Sequence, residues 1–136
     1  MASALATVDA AIKSALDGLS WGSGVIGAME GEIFAAPRGT HWRARINYPS
    51  DGGRMAIAGS GVTGNAVRGS LEVRIFGAPI GDALATVKAQ ADVVRSYFSR
   101  RLVGTAYFFA PSGPRSEPNA NFDVVVVDCP FEVREA

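Results

Sequence analysis

Cysteine and histidine are almost missing from this chain, which has one of each, Cys129 and His41, in 136 residues. A lone cysteine cannot close an internal disulfide, and one Cys with one His falls short of a structural zinc site. Synthesis in a reducing cytoplasm is the expectation. Net charge is missing too. Thirteen Lys+Arg balance thirteen Asp+Glu, whereas a dedicated nucleic-acid binder carries a basic excess. Neutrality also removes electrostatic steering toward anionic membranes. No apolar run approaches the ~20 residues that span a bilayer. MASALATVDAAIKSAL lacks the charged start and long apolar centre of a signal peptide, so no export by a leader is expected.

Apolar residues make up 48% and charged residues 19% of the chain, a globular composition. The length suits one domain over 1–136, able to bury roughly two-thirds of its unfolded surface. Leu5, Val8, Ile12 and Leu16 form one apolar stripe and predict a helix over about 4–17, with Ser3 as N-cap and Gly18 as C-cap. Residues 19–30 read as a loop leading to a short strand at 31–35. In 40–48, Trp42, Ala44, Ile46 and Tyr48 alternate with His41, Arg43, Arg45 and Asn47, which predicts a half-buried strand. A glycine-rich loop follows to about 64. Residues 65–76 alternate again, Val67, Leu71, Val73 and Ile75 against Arg68, Ser70, Glu72 and Arg74, with Gly69 on the apolar side marking a bulge or a close backbone approach.

Asp82 caps a predicted helix over 82–100, whose stripe is Leu84, Val87, Ala91, Val94 and Phe98. Arg95, Arg100 and Arg101 suit its C-terminal dipole. Residues 104–110 read as a strand and 111–121 as a proline-bearing loop. A last strand covers 122–135, with Val125, Val127, Cys129, Phe131 and Val133 on one face. Pro130 lacks a ladder donor, so the strand is expected to bulge there or lie at an edge. The whole predicts an α+β fold, a single mostly antiparallel sheet packed against two helices.

Sixteen glycines are what the chain has in abundance. They write nearly the same hexapeptide twice, GSGVIG at 22–27 and GSGVTG at 59–64. Both match G-x-G-x-x-G, but a dinucleotide fingerprint needs a strand before it and a helix after it, so that a helix N-terminus meets the phosphate. The first follows a helix end and the second runs into a strand. Asp82 opens a helix instead of ending a second strand. Two flexible loops are the expectation, and no cofactor. His41 beside Arg43 and Arg45 reads as a surface histidine, Cys129 as a buried inert thiol. Glu30, Glu32 and Asp51 have no metal-ligand spacing. No catalytic, cofactor-binding or metal-ligating set emerges. Arg43, Arg45, Arg68 and Arg74 share one face if strands 40–48 and 65–76 pair, giving a local basic patch or a merely solvated face.

The order of these stretches resembles the tail terminator proteins of long-tailed bacteriophages. The stretches that carry the resemblance are the Ala-rich first helix, "HWRARINYPSDG" with its glycine-rich loop, "RGSLEVRIFGAPIGDALATVKAQADVVRSYFSRR", and the closing "VVVVDCPFEV". The resemblance implies a structural virion protein without enzyme activity. Such a subunit forms a six-membered ring that caps the tail tube, ends its polymerisation and presents the head–tail joining surface. It implies the major tail tube protein and a head–tail connector as partners, assembly in the host cytoplasm, and DNA passing through the ring without sequence-specific contact. Arg43, Arg45, Met55, Ile57, Val62, Arg68 and Arg74 are the expected subunit or tube contacts. The alternatives are another head–tail connector or tail-completion protein, and a small cytosolic hydrolase using His41.

Overall fold

The computed structural model describes residues 4–21, 25–35, 39–48, 54–56, 65–78 and 83–135. The elements are α1 (Ala4–Asp17), β1 (Ile26–Met29), β2 (His41–Asn47), β3 (Arg54–Ala56), β4 (Asn65–Gly77), α2 (Ala83–Tyr97), β5 (Arg101–Val103), β6 (Ala106–Phe108), β7 (Ser112–Glu117) and β8 (Asp123–Glu135). The strands form one sheet in the order β1-β2-β4-β8-β6-β5, with β3 added to β4 and β7 to β8. All pairs are antiparallel except β1 with β2. The fold is α+β, one mostly antiparallel sheet with two helices, as the periodicities predict.

Alternation makes the sheet two-faced. Strands β2 and β4 are antiparallel neighbours, from His41↔Phe76 to Asn47↔Ser70. β4 then pairs with β8 over its whole length, from Asn65↔Glu135 to Gly77↔Asp123. On one face Trp42, Ala44, Leu71, Val73, Ile75 and the odd-numbered positions 125–133 of β8 are buried. Both helices cover that face: Val8, Ile12 and Leu16 of α1 and Val87, Ala91, Val94 and Phe98 of α2 join the same core. Leu84 departs from the predicted stripe. It is 41% exposed, because it lies in the first turn of α2, at the margin of the helix's contact with the sheet. Ser3 and Asp82 lie outside the described residues.

Other departures have local causes. No strand forms at 31–35; the strand is β1, and it begins inside the first glycine hexapeptide. Its register Gly27↔Trp42 lays the indole over Gly27, so closely that a Cβ there would sit 2.1 Å from the ring. Gly31, at φ +94°, then turns the chain. Residues 104–110 are one arm of a hairpin, because Gly104 at φ +59° provides the positive φ that a two-residue turn between Val103 and Ala106 requires. The α2 helix ends at Tyr97, and Arg101 belongs to β5. Part of the expected loop 111–121 is β7, an edge strand that tolerates Pro114. Part of the expected loop 49–64 is β3, paired with β4.

Pro130 lies at neither an edge nor a bulge against β4, where the register is unbroken. Its carbonyl accepts from the Phe109 amide, 3.0 Å away. The N and C=O of a strand residue point the same way, so the missing donor faces the gap between β6 and β7 and leaves the β4 ladder intact. Gly69 is a close approach: a Cβ there would lie 2.6 Å from Phe131 and 3.0 Å from Tyr48.

Candidate interaction surface

The helix-free face of the sheet collects the even-numbered side chains of β4 and β8 and the odd-numbered ones of β2. It therefore brings Arg43, Arg45, Arg68 and Arg74 onto one surface, as the alternation implies. It is not a basic patch. Glu30 lies 3.6 Å from Arg45, whose guanidinium is 3.4 Å from Glu72. Glu72 also pairs with Arg74. Arg74 reaches Glu117 at 3.1 Å, Arg115 lies 3.6 Å from Glu117 and 3.3 Å from Asp128. Arg68 faces Glu132 at 3.9 Å, and Arg43 stacks its guanidinium 4.9 Å from the Phe34 ring. The result is a ladder of alternating sign across the sheet, and sequence alone missed it because Glu117 and Glu132 come from the far third of the chain. The hydrogen bond from Arg74 holds the Glu117 carboxyl below its ordinary range, and the same bond raises Arg74.

His41 is also on this face but not at its surface. It is 3% exposed. The ring stacks on Phe76 at 4.7 Å, meets Phe122 edge-on at 5.1 Å and Phe34 at 5.9 Å. Its Nδ1 lies 2.9 Å from the Gly39 carbonyl oxygen. The expected surface histidine is thus a packed one: Phe76 and Phe122 are distant in sequence, and only the β2–β4–β8 register assembles the aromatic box. Cys129 is buried as expected, and burial pushes its thiol up to about 12. Among the described residues the hydrogen-bond partner of His41 is a backbone carbonyl, not a serine, acid or base that would make a nucleophilic pair.

A polar cleft of about 620 Å³ lies between α1 and the turn after β1. Its charges are already engaged: Lys13 with Glu32, Arg45 with Glu30, and Asp9, which accepts from the Tyr48 hydroxyl at 3.3 Å. Burial raises the Asp9 carboxyl, and burial with the Asp9 charge pushes Tyr48 up to about 12.

The two ends of the sheet differ from this middle. At the β5–β6 end, Leu102, Tyr107 and Phe109 are 63%, 42% and 39% exposed and line an apolar groove of about 410 Å³ with Thr105 and Glu132. At the β1 end, Ile26 is 49% exposed and Ile33 stands fully clear. Strands β1 and β5 each have one sheet partner among the described residues. The signal for the groove was present in AYFF, where both alternating faces are apolar. Of the other expected contacts, Met55 falls within β3, and Ile57 and Val62 lie outside the described residues, as do 22–24 and 59–64 of the glycine hexapeptides.

No protein-family model matches the chain, and no curated protein does. The fold does recur among solved structures. One of them superposes with a TM-score of 0.69 over 97% of this chain and 96% of that one, at 17% identity. At that identity the likeness shows a common fold and nothing finer.

Proposed function

We propose that this chain is a structural subunit of a phage tail, of tail-terminator type. Copies assemble head to tail into a six-membered ring that caps the tail tube, ends its polymerisation and forms the surface on which the head joins. The observation that carries the reading is the sheet with two unlike end strands, β1 and β5, each with one strand partner among the described residues. An exposed edge is an invitation to pair, and a monomer normally blunts it. A contact between unlike edges is heterologous, and such contacts close into rings when the rotation allows.

The order of elements that resembles the tail terminators supports the same reading. The neutral ladder suits it as well: a face with its charges already paired resists non-specific DNA binding while DNA passes through the ring. The tube protein and the head connector are the proposed partners, and the virion head–tail interface the proposed location. Met55, Ile57 and Val62 of the glycine-rich segment remain proposed contacts to tube or neighbour, as do Arg43, Arg45, Arg68 and Arg74, the last three now as members of charge pairs and Arg43 stacked on Phe34. The hydrolase alternative rested on His41, which is enclosed by Phe34, Phe76 and Phe122.

The test is twofold. Light scattering of the purified chain should give the mass of six copies. Particles assembled without the protein should carry tails of uncontrolled length or fail to join heads. Normal infectious particles in its absence would exclude the role.

A further inference from the structure

Strand β1 ends the sheet, and its outer edge is not bare. Glu30 donates its N–H to the Ala44 carbonyl at 2.7 Å, so Glu30 and Ala28 turn their backbone groups toward β2. Backbone groups alternate sides along a strand, which leaves Gly27 and Met29 facing outward. Both outward groups of Met29 are taken by one residue, three positions on. The Met29 N–H donates to Glu32 Oε1 at 2.8 Å, and the Met29 carbonyl accepts from the Glu32 N–H at 3.2 Å. The other carboxylate oxygen of Glu32 pairs with Lys13 of α1. Gly31, at φ +94°, makes the turn that brings Glu32 back over the edge.

We propose that Glu32 is a releasable cover on the β1 edge: latched to Lys13, it fills the pairing groups of Met29 in the free chain, and it must swing away before another strand adds to β1. The proposal deepens the ring reading, as the step that gates contact at this edge, and rests on it for what the uncovered edge meets. A bare edge pairs with any strand offered to it, and a polar contact over the edge is a way of preventing that.

The surroundings make the cover releasable. The Lys13 and Glu32 side chains are 46% and 35% exposed, and an ion pair so placed holds weakly against water. Ile33 stands fully clear, so the turn is not held by burial. The chain is anchored again at Phe34, whose ring lies 5.9 Å from that of His41, which confines the movement to residues 30–33. The hydrogen bonds from Lys13 and from the Met29 amide hold the Glu32 carboxyl below its ordinary range, as for a carboxylate engaged in its charged form.

The experiment compares the full chain with Glu32→Ala, with Lys13→Ala, and with Glu32→Ala combined with Met29→Pro. Hydrogen exchange below the assembling concentration reads the cover directly. The Met29 amide should be protected in the wild type and exchange about tenfold faster or more in Glu32→Ala, while the Glu30 amide, bonded to β2, keeps its protection. Sedimentation velocity reads the consequence. Glu32→Ala should assemble at a concentration about tenfold lower than the wild type, because a charge-assisted hydrogen bond no longer has to be broken first. Lys13→Ala should shift the same way by less. Met29→Pro removes the donor that the cover hides and should cancel the gain. Circular-dichroism melts check folding; should the double variant melt early, the two single variants decide.

Unchanged exchange at Met29, or a Glu32→Ala chain that assembles no more readily than the wild type, overturns the cover. A six-membered wild-type ring indifferent to both single substitutions removes the cover and leaves the ring. Easier assembly of Glu32→Ala into a species of another size, shared with the wild type, keeps the cover and removes the terminator ring. Chains that stay monomeric at millimolar concentration with and without Glu32 remove both.

Discussion

At the scale of single residues, burial decides chemistry. Cys129 sits at 0% exposure between strands, and the low-dielectric surroundings push its thiol up to about 12. The thiolate is the reactive species, so the folded chain should resist alkylation at pH 8 and react fully in denaturant; rapid labelling of the native chain would contradict the burial. The same shift has a sign for stability. A thiol held neutral above its unfolded range contributes below about pH 9, and the contribution is lost as pH rises toward 12. Tyr48, pushed up to about 12 from 10, acts in the same direction. Alkaline stability should therefore fall by up to about 1.4 kcal/mol per pH unit for the thiol. Cys129→Val should flatten that limb in denaturant titrations at pH 8–11, and an unchanged slope would assign it to other groups. Gly27 is a second case. Trp42 lies on it and Trp21 stacks on Trp42 at 5.2 Å, so Gly27→Ala overpacks the site and should cost about 1–3 kcal/mol. A neutral result in thermal melts would mean that the indole pair shifts freely.

Helix α2 and strand β4 show what elements add. Phe98 is fully buried and packs 4.8 Å from Phe108, whereas Leu84 on the same stripe is half-exposed. Phe98→Ala should cost about 3–5 kcal/mol and Leu84→Ala about 0.5 kcal/mol or less; equal losses would show that α2 sits differently on the sheet. On β4, Arg74 and Arg68 read alike in sequence but not in the sheet. Arg74 joins Glu72, itself 8% exposed, to Glu117, whereas the Arg68 side chain is 57% exposed beside Glu132. Arg74→Ala leaves a nearly buried carboxylate with Arg45 alone and should cost about 1–3 kcal/mol. Arg68→Ala should cost less than about 1 kcal/mol. The comparison is read from urea midpoints at low salt, and its order should survive at high salt because the inner pair is shielded from screening ions. Reversal of the order would make the ladder a surface decoration.

For the whole molecule, the sheet is a strip with a neutral middle and two apolar ends. Its long central pair, β4 with β8, joins the middle of the chain to its last strand, so the core forms only when sequence-distant segments meet. The helices cover one face completely enough to bury Val8, Ile12 and Leu16, yet neither edge strand is covered on its outer side by another strand among the described residues. The proposed ring would complete such a strip. If the ends carry the contacts, oligomer mass should respond to substitutions at Ile33 and Leu102 and be indifferent to Arg68→Ala in the middle of the face. Sedimentation of the three variants side by side separates end-to-end from face-to-face assembly.

Periodicity alone determined the class of fold, because apolar spacing is local. Val8, Ile12 and Leu16, the stripe from Val87 to Phe98, and the alternations in β2, β4 and β8 each announce their element and its buried face within a few residues. Charge balance and the scarcity of Cys and His were equally legible. What the tertiary structure decided was everything set by register. The His41 box needs Phe76 and Phe122, and the fate of three arginines, Arg45, Arg68 and Arg74, depends on where the sheet places Glu72, Glu117 and Glu132. Pro130 is harmless in a central strand only because its missing donor faces a gap. Gly27, Gly69 and Gly104 each have a reason that lies elsewhere in the chain: the Trp42 ring, the Phe131 ring, and Ala11, which a Cβ on Gly104 would meet at 2.8 Å. A sequence states what each residue prefers; only the packed sheet states which residue stands opposite it, and electrostatics, close approach and exposure are all properties of that pairing.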